Sequence, residues 1–266
     1  MSKISEHAVV GKSARIAEGV EIGPFAIIED NVELGANVKI MAHAYICGGT
    51  TIGDNAQVHM GAVIGNLPQD LGFDKNKKTY TKIGKNTVVR EYATIHRSTI
   101  EGSATIVGSD CYLMALSHVG HDCHIGNNVI IANGVLLAGH VSVGDYAFIS
   151  GNVVVHQFCR IGTLAMIGGF TGINKDVPPY MLVRGPSVVR SVNLVGLRRL
   201  KFPRELIGEI KEAYKLIFMQ NLNTAQAIEG IKKLKPSKEL DHLVEFIQTS
   251  KRGICKYKYS DDEYFE

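Results

Sequence analysis

Aliphatic residues recur at every sixth position along most of this chain, and this period restricts the possible folds more than any other feature. One unbroken run extends from Val10 to Ile64, and another extends from Val107 to Ile173. A period of six fits neither an α-helix, with about 3.6 residues per turn, nor a long two-sided strand. It is typical of the hexapeptide parallel β-helix, in which each hexad forms one short side of a triangular coil. The sequence therefore predicts a mainly β fold.

Residues 117–160 hold five histidines inside this regular pattern, and four of them, His118, His121, His140 and His156, are candidates for one site. The pattern resembles that of hexapeptide-repeat acyltransferases, whose left-handed parallel β-helix takes three hexads, or about 18 residues, per turn. Residues one turn apart then stack at about 4.8 Å, the spacing of hydrogen-bonded strands. His121, Gly139 and Gln157 are expected to form one column across three coils. Isolated histidines elsewhere are better explained as surface residues. The residues gathered at this patch are His118, His121, Gly139, His140, His156 and Gln157.

Two segments interrupt the repeat. A stretch rich in Pro, Gly, Asn and Lys replaces the hexads at about 66–82 and predicts an external loop. Solenoids tolerate insertions as loops on one face, often the binding face, so Gln69 and Asp70 are candidates for reaching a substrate. The alternative is that both are ordinary solvated loop residues. Residues 98–106 keep the register, but Glu101 takes the aliphatic position, so a degenerate hexad and a small loop both fit.

The C-terminal part of the chain has a different period. The β-helix is expected to end near KDVPPY, because Pro178 and Pro179 cannot donate to a ladder. Beyond it, apolar residues recur at spacings of three and four, which is typical of amphipathic helices. We assign residues 1–190 to the β-helix and residues 191–266 to an α-helical C-terminal domain. The stretches that fit helices are 203–218, 224–234 and 237–248.

Composition places the chain among ordinary globular proteins, with 45% hydrophobic and 21% charged residues. The first residues lack the apolar stretch of a signal peptide, and no apolar run approaches the length needed to cross a bilayer. Five cysteines are an odd number, and Cys111, Cys123 and Cys159 occupy inward hexad positions as small apolar residues. These features predict a cytoplasmic, reducing location without stable membrane insertion.

Positive charge is concentrated near the C-terminus. Residues 190–260 contain 15 Lys and Arg against 7 Asp and Glu, a balance of +8, whereas the whole protein carries +3. Such a segment is either a solvated surface or a patch that binds an acidic partner. Because aromatic residues do not alternate with these charges, nucleic acid is the weaker choice of partner.

Several motifs together resemble the UDP-N-acetylglucosamine O-acyltransferase family over nearly the whole chain: SHVGHDC, LAGHVSVGD, VVVHQFC, KDVPPY, PQDL and NLVGLRR. The resemblance implies an enzyme that moves a 3-hydroxyacyl chain from acyl carrier protein to the glucosamine 3-position of UDP-N-acetylglucosamine, the first step of lipid A biosynthesis. It also implies a homotrimer with sites between subunits, no cofactor and no metal. The acidic carrier protein then becomes the partner of the basic C-terminal segment.

The same resemblance implies a role for each candidate residue. His121 would be the general base, Asp122 would orient its ring, and the Gly139 backbone N–H would stabilise the oxyanion. Gly169, which has no side chain, would leave room for the acyl chain. The other substrate-binding candidates are His118, His140, His156 and Gln157 lining the site, Gln69 and Asp70 on the glucosamine, and Asn193 and Arg199 on the nucleotide.

Two alternatives stay open. The family usually carries a lysine at the position of Gly72, an acid at Val195 and a second arginine at Leu200, and some relatives acylate a 3-amino analogue of the sugar. These departures leave N-acylation of that analogue as an alternative. Other hexapeptide-repeat proteins bind zinc through three histidines and hydrate carbon dioxide. That function is less favoured, because it gives the HQFC segment and the helical tail no role.

Overall fold

The computed structural model describes residues 2–257, and 28 short strands followed by four helices make up its regular structure. In chain order the strands are β1 (Lys3–Ile4), β2 (Val9–Val10), β3 (Arg15–Ile16), β4 (Glu21–Ile22), β5 (Ile27–Ile28), β6 (Glu33–Leu34), β7 (Lys39–Ile40), β8 (Tyr45–Ile46), β9 (Thr50–Ile52), β10 (Gln57–Val58), β11 (Val63–Asn66), β12 (Tyr80–Ile83), β13 (Val88–Val89), β14 (Thr94–His96), β15 (Ala104–Val107), β16 (Tyr112–Leu113), β17 (His118–Val119), β18 (His124–Ile125), β19 (Ile130–Ile131), β20 (Leu136–Leu137), β21 (Ser142–Val143), β22 (Phe148–Ile149), β23 (Val154–Val155), β24 (Arg160–Ile161), β25 (Met166–Ile167), β26 (Gly172–Ile173), β27 (Met181–Arg184) and β28 (Val188–Val192). The helices are α1 (Leu194–Arg199), α2 (Arg204–Phe218), α3 (Thr224–Ile231) and α4 (Lys238–Gln248).

The strands form three sheets that are the sides of a triangular coil. The first sheet runs from β1 through β4 and every third strand to β25, the second from β2 to β26, and the third from β3 to β24. Pairing among these strands is parallel, and in uninterrupted coils it joins residues three hexads apart, as in His118 with Leu136 and Leu136 with Val154. The predicted parallel β-helix of hexapeptide repeats is therefore confirmed.

The core of the coil follows from the hexad pattern. The inward aliphatic residues are nearly all buried, and the small residue four positions later fills each corner behind them. Burial of each such side chain contributes about 1.5–3 kcal/mol, which compensates for strands of only two residues. Cys111, Cys123 and Cys159 are buried among these residues, as predicted from their hexad positions.

Most corners are turns whose second residue has a positive φ. At the corner where the third sheet passes to the first, called here the ladder corner, Asn37, Asn55, Asn86 and Asp110 have φ of 57°, 58°, 57° and 57°. Asn and Asp adopt this conformation more readily than other side-chain-bearing residues. Their side chains also bond from coil to coil, with Asn37 donating to Asn55 at 3.2 Å and Asn55 donating to Asn86 at 3.2 Å.

Both interruptions of the repeat leave the coil at one corner, where the second sheet passes to the third, called here the site corner. The predicted external loop lies between β11 and β12, and pairing resumes at Thr81, opposite Thr50 of β9, which brings Ile83 opposite Ile52. The second interruption is a small loop, not a hexad, because β14 ends at His96 and β15 begins at Ala104. Ile83 accordingly pairs with Val107 beyond this loop, and Glu101 is exposed.

The expectation that the β-helix ends at KDVPPY was wrong by one strand. β27 pairs in parallel with β25, and β28 then turns back to pair with β27 in an antiparallel hairpin. Pro179 occupies a corner turn, where the backbone makes no ladder bond. Gly162 in the preceding coil leaves room for that ring, since a Cβ there would lie 2.3 Å from the Pro179 nitrogen.

The helices pack against the last coils. All three stretches predicted as helices contain one, and α2 buries Ile210, Ala213 and Tyr214 on one face. Arg160 of β24 bonds to buried Asp176 at 3.0 Å, and its guanidinium lies 4.2 Å over the Phe246 ring of α4. The division at residue 190 stays a prediction, and its last part, 258–266, lies outside the described residues. No helix within residues 2–257 is long and apolar enough to cross a membrane.

Candidate active site

The column predicted from spacing lies at the site corner. His121 and Gly139 occupy the same position of consecutive coils, since the His140 N–H donates to the His121 carbonyl at 2.9 Å. The ring of His121 lies over Gly139, where a Cβ would come within 2.5 Å of Cε1. Only glycine therefore allows the imidazole to occupy this place. Gln157 follows in the next coil, exposed beside His156.

His121 forms a dyad with Asp122. Nδ1 of the ring lies 2.8 Å from Oδ2 of the carboxylate. Because an ionised carboxylate only accepts, Nδ1 carries the proton and the Nε2 lone pair is free. Nε2 makes no hydrogen bond to any residue of the described chain, and 17% of the side chain is exposed. The dyad thus presents a base to solvent or substrate.

Asp122 stays ionised in spite of its burial. Burial raises its pKa, but hydrogen bonds from Ser98, Thr99 and His121 outweigh burial and hold the pKa below its ordinary value. Thr99 donates through Oγ1 to Oδ2 at 2.6 Å and through its backbone N–H to Oδ1 at 3.1 Å. Ser98 Oγ donates to Oδ1.

The backbone N–H of Gly139 has no hydrogen-bond acceptor among residues 2–257. The first turn residue of other corners lacks an acceptor as well, as His121 and Gln157 do in the adjacent coils, and Gly139 differs in that the His121 ring lies over it. Such a donor is suited to an oxyanion that forms during a reaction.

Further aromatic rings surround the dyad. The His140 ring meets the His121 ring edge-on at 5.2 Å and stacks on Phe158 at 4.5 Å. His118 lies on the outer face of β17, with Nδ1 2.7 Å from Thr94 Oγ1, and burial and then the charge of His121 lower its pKa. The structure thus brings His118 and His140 to the dyad.

His96 was missed by the sequence analysis. It is buried and meets the His118 ring edge-on at 4.9 Å. Burial first, then His118 and His121, lower its pKa to about 4, so the ring is neutral near pH 7. The repeat was the sequence signal that could have located His96. The small loop lengthens the coil that follows His96, however, so a regular coil length does not place His96 beside the site.

Other predicted site residues lie elsewhere on the chain. Gln69 and Asp70 are exposed in the external loop, where Asp70 accepts from the Gly72 N–H at 2.9 Å. Asn193 is buried as the N-cap of α1; it accepts from the Gly196 N–H and donates to the Leu164 carbonyl at the ladder corner. These capping bonds account for the position of Asn193 in the fold.

Two more predicted residues are also apart from the dyad. Arg199 is exposed near the end of α1. Gly169 lies at the corner where the first sheet passes to the second, beside exposed Phe170, and a Cβ there would lie 3.3 Å from the Gly151 carbonyl oxygen. One chain therefore does not gather all the predicted substrate contacts around His121.

One group in the described part of the chain has the donor atoms for a metal ion. His121, Asp122 and His140 each offer one atom, all within 4.8 Å of one another. The Asp122 oxygens are already occupied by Ser98, Thr99 and His121 donors. Saturation by protein donors favours a proton-transfer dyad over a metal centre.

Family models describe both parts of the chain. Residues 31–66 and 104–139 match "Bacterial transferase hexapeptide (six repeats)", and residues 176–255 match "Udp N-acetylglucosamine O-acyltransferase; Domain 2". A coil of hexapeptide repeats with a histidine–aspartate dyad at one corner defines a hexapeptide-repeat transferase.

Similar proteins of known name identify the family within the hexapeptide-repeat transferases. The chain is 45% identical over 259 residues to the acyl-(acyl-carrier-protein)–UDP-N-acetylglucosamine O-acyltransferase of Thermodesulfovibrio yellowstonii, covering 96% of this chain and 100% of that protein. It superimposes on the UDP-N-acetylglucosamine acyltransferase of Francisella novicida with a TM-score of 0.92 and 41% identity, covering 95% of this chain and 94% of the other. The corresponding enzyme of Bacteroides fragilis gives a TM-score of 0.91 and 42% identity, covering 94% and 99%. The chain belongs to the UDP-N-acetylglucosamine O-acyltransferase family.

Proposed function

We propose that this protein transfers a 3-hydroxyacyl chain from acyl carrier protein to the 3-position of the glucosamine ring of UDP-N-acetylglucosamine, the first step of lipid A biosynthesis. Membership of the family supports this reaction, since the relatives are named for this donor and acceptor. The observation that carries the proposal is the His121–Asp122 dyad beside the unpaired Gly139 N–H. The predicted cytoplasmic location goes with this proposal.

The dyad and the N–H suit the two demands of acyl transfer. Nε2 of His121 takes the proton of the sugar hydroxyl as its oxygen attacks the thioester carbonyl, while Asp122 stabilises the imidazolium that forms. The Gly139 N–H donates to the oxyanion of the tetrahedral intermediate. When the intermediate collapses, the C–S bond breaks and the imidazolium returns its proton to the leaving thiolate. The base contributes about 10² to 10⁴ in rate.

The remaining predicted residues act in binding. The active site around His121 is lined by His118, His140, His156 and Gln157. The glucosamine is contacted by Gln69 and Asp70, and the nucleotide by Asn193 and Arg199. Gly169 leaves space for the acyl chain. Because these residues lie at different corners of one chain, the complete site is best formed between subunits. This argument favours the homotrimer, which places unlike corners side by side around a threefold axis.

The donor docks on the basic C-terminal part of the chain. Arg198, Arg199 and Lys201 are exposed at the end of α1, and acyl carrier protein is acidic. Electrostatic attraction between exposed charges is screened over about 8–10 Å at moderate salt. We therefore expect the KM for the acyl carrier substrate to rise with ionic strength.

The acceptor is the less constrained part of the proposal. Gly72, Val195 and Leu200 stand where polar or charged residues are usual, which keeps the 3-amino analogue as a second acceptor. An assay of both UDP-sugars with one acyl carrier substrate separates O-acylation of the 3-hydroxyl sugar from N-acylation of its 3-amino analogue. We expect turnover of the hydroxyl acceptor within tenfold of the amine. Turnover of the amine alone would replace O-acylation by N-acylation at the same site.

A further inference from the structure

The small loop between β14 and β15 surrounds the Asp122 carboxylate with donors. Ser98 and Thr99 lie in this loop, one coil before Asp122, and together they supply two hydroxyls and one backbone N–H. Ser98 is fully buried, and the Asp122 side chain is 5% exposed. Water therefore competes little with these bonds.

The backbone of Asp122 is fixed from the same coil. Its φ is 59°, and its N–H donates to Thr105 Oγ1 at 2.8 Å, just after the loop. The carboxylate can then turn only about its side-chain bonds, and the Thr99 hydroxyl at 2.6 Å limits that rotation. Without this restraint, Oδ2 would lose its fixed direction toward His121 Nδ1.

We propose that Ser98 and Thr99 are positioning residues, whose hydroxyls hold the Asp122 carboxylate as an anion aimed at Nδ1 of His121. They act on the reaction through Asp122 and touch no substrate. The inference rests on the proposed function of His121 as the general base. The proposal also assigns a role to the small loop between β14 and β15, which the hexapeptide scaffold itself does not need.

Thr99 is the sharper of the two test positions. Ser98 Oγ also accepts from the Ile100 N–H at 3.0 Å, so its loss would disturb the loop itself. The Thr99 hydroxyl bonds to Asp122 alone among the described residues. Thr99→Val keeps the shape of the side chain and removes only this donor, and Thr99→Ser keeps the donor.

The first readout separates kcat from KM. We expect Thr99→Val to lower kcat about tenfold to thirtyfold, the lower part of the range typical of a lost hydrogen bond to a charged group, with KM for both substrates within about twofold. Thr99→Ser should recover most of the lost kcat. Thr51→Val, which removes a threonine hydroxyl from a strand of the third sheet two coils earlier, is the matched control and should stay within about twofold of wild type.

The second readout is the titration of the Asp122 carboxyl itself, followed by NMR of the side-chain carbon. Removal of a donor to the ionised carboxylate raises the pKa of Asp122, since that donor helps to lower it. The Asp122 carboxyl of Thr99→Val should therefore titrate at higher pH than that of wild type, whereas that of Thr51→Val should titrate as in wild type.

The deciding readout is a double-mutant cycle with Asp122→Asn. If Thr99 acts through Asp122, Thr99→Val should change kcat by less than about twofold in the Asp122→Asn background. An equal loss in both backgrounds, or wild-type kcat in Thr99→Val alone, would overturn the proposal. Neither result would affect the role of His121, which His121→Ala tests separately.

Discussion

The ladder corner and the site corner are built from the same turn, yet they carry different kinds of side chain. At the ladder corner, the side chains of Asn55 and its neighbours bond to one another along the coil axis. At the site corner, two loops interrupt the stack, and the turn carries the His121–Asp122 dyad. The difference teaches that the backbone geometry is shared and that the local side chains decide whether a corner is structural or chemical.

The largest expected effect is the loss of the base at the site corner. His121→Ala should lower kcat by about 10² to 10⁴ while the circular dichroism spectrum and the oligomer are unchanged, because the side chain is on the outside of the coil. Steady-state assays with acyl carrier protein substrate measure this. Retention of more than about a tenth of wild-type kcat would contradict the assigned role.

Gly139→Ala tests the second part of the site corner. The new methyl group would lie 2.5 Å from Cε1 of His121, so the ring must move away from Asp122 and from the Gly139 N–H. We expect a loss of about 10² in kcat, the lower end of the contribution of a general base, because the ring is displaced while the backbone N–H is kept. Gly172→Ala is the matched control, since a Cβ there meets nothing within 4 Å. Equal kcat values of Gly139→Ala and Gly172→Ala would show that the glycine at the site corner has no special role in the reaction.

The smallest expected effect on activity belongs to the ladder corner. Asn55→Ala removes two side-chain bonds and leaves alanine at a φ of 58°, which costs about 1–2 kcal/mol. The thermal midpoint should fall by a few degrees while kcat stays within about twofold. Asn55→Gly accepts the positive φ and should fall less. A tenfold loss of kcat in Asn55→Ala would mean that the ladder corner also serves the reaction.

The repeat predicted part of the site once the resemblance to hexapeptide-repeat acyltransferases supplied a coil of about 18 residues. His121, Gly139 and Gln157 belong to the stretch in which every coil consists of three unbroken hexads, so simple spacing placed them in one column. Ser98, Thr99 and His96 belong to the coil that carries the small loop, so regular spacing does not find their neighbours in the next coil. Sequence could not decide whether residues 98–106 form a hexad, because the insertion is one hexad long and preserves the hydrophobic register.

Other features depended on tertiary geometry. Two adjacent prolines indicate the end of a strand in most contexts, but Gly162 made room for Pro179 at a corner, and the stack continued. The bonds around Asp122 also arise from residues that are distant in sequence and neutral in the hexad pattern. Periodicity reports which residues face inward, whereas contacts outside the coil leave no periodic trace.

The two insertions at the site corner have a consequence for how such a protein can change. Parallel pairing resumes in register beyond each of them, with Ile83 opposite Ile52 and Val107 opposite Ile83. The smaller insertion adds one hexad, whereas the larger one is not a whole number of hexads, so a corner imposes no rule on insert length. Each coil closes on the one beneath it, which isolates the scaffold from the length of its loops. The external loop between β11 and β12 can therefore be lengthened or shortened without redesigning the core, whereas the small loop is constrained by the bonds of Ser98 and Thr99 to Asp122.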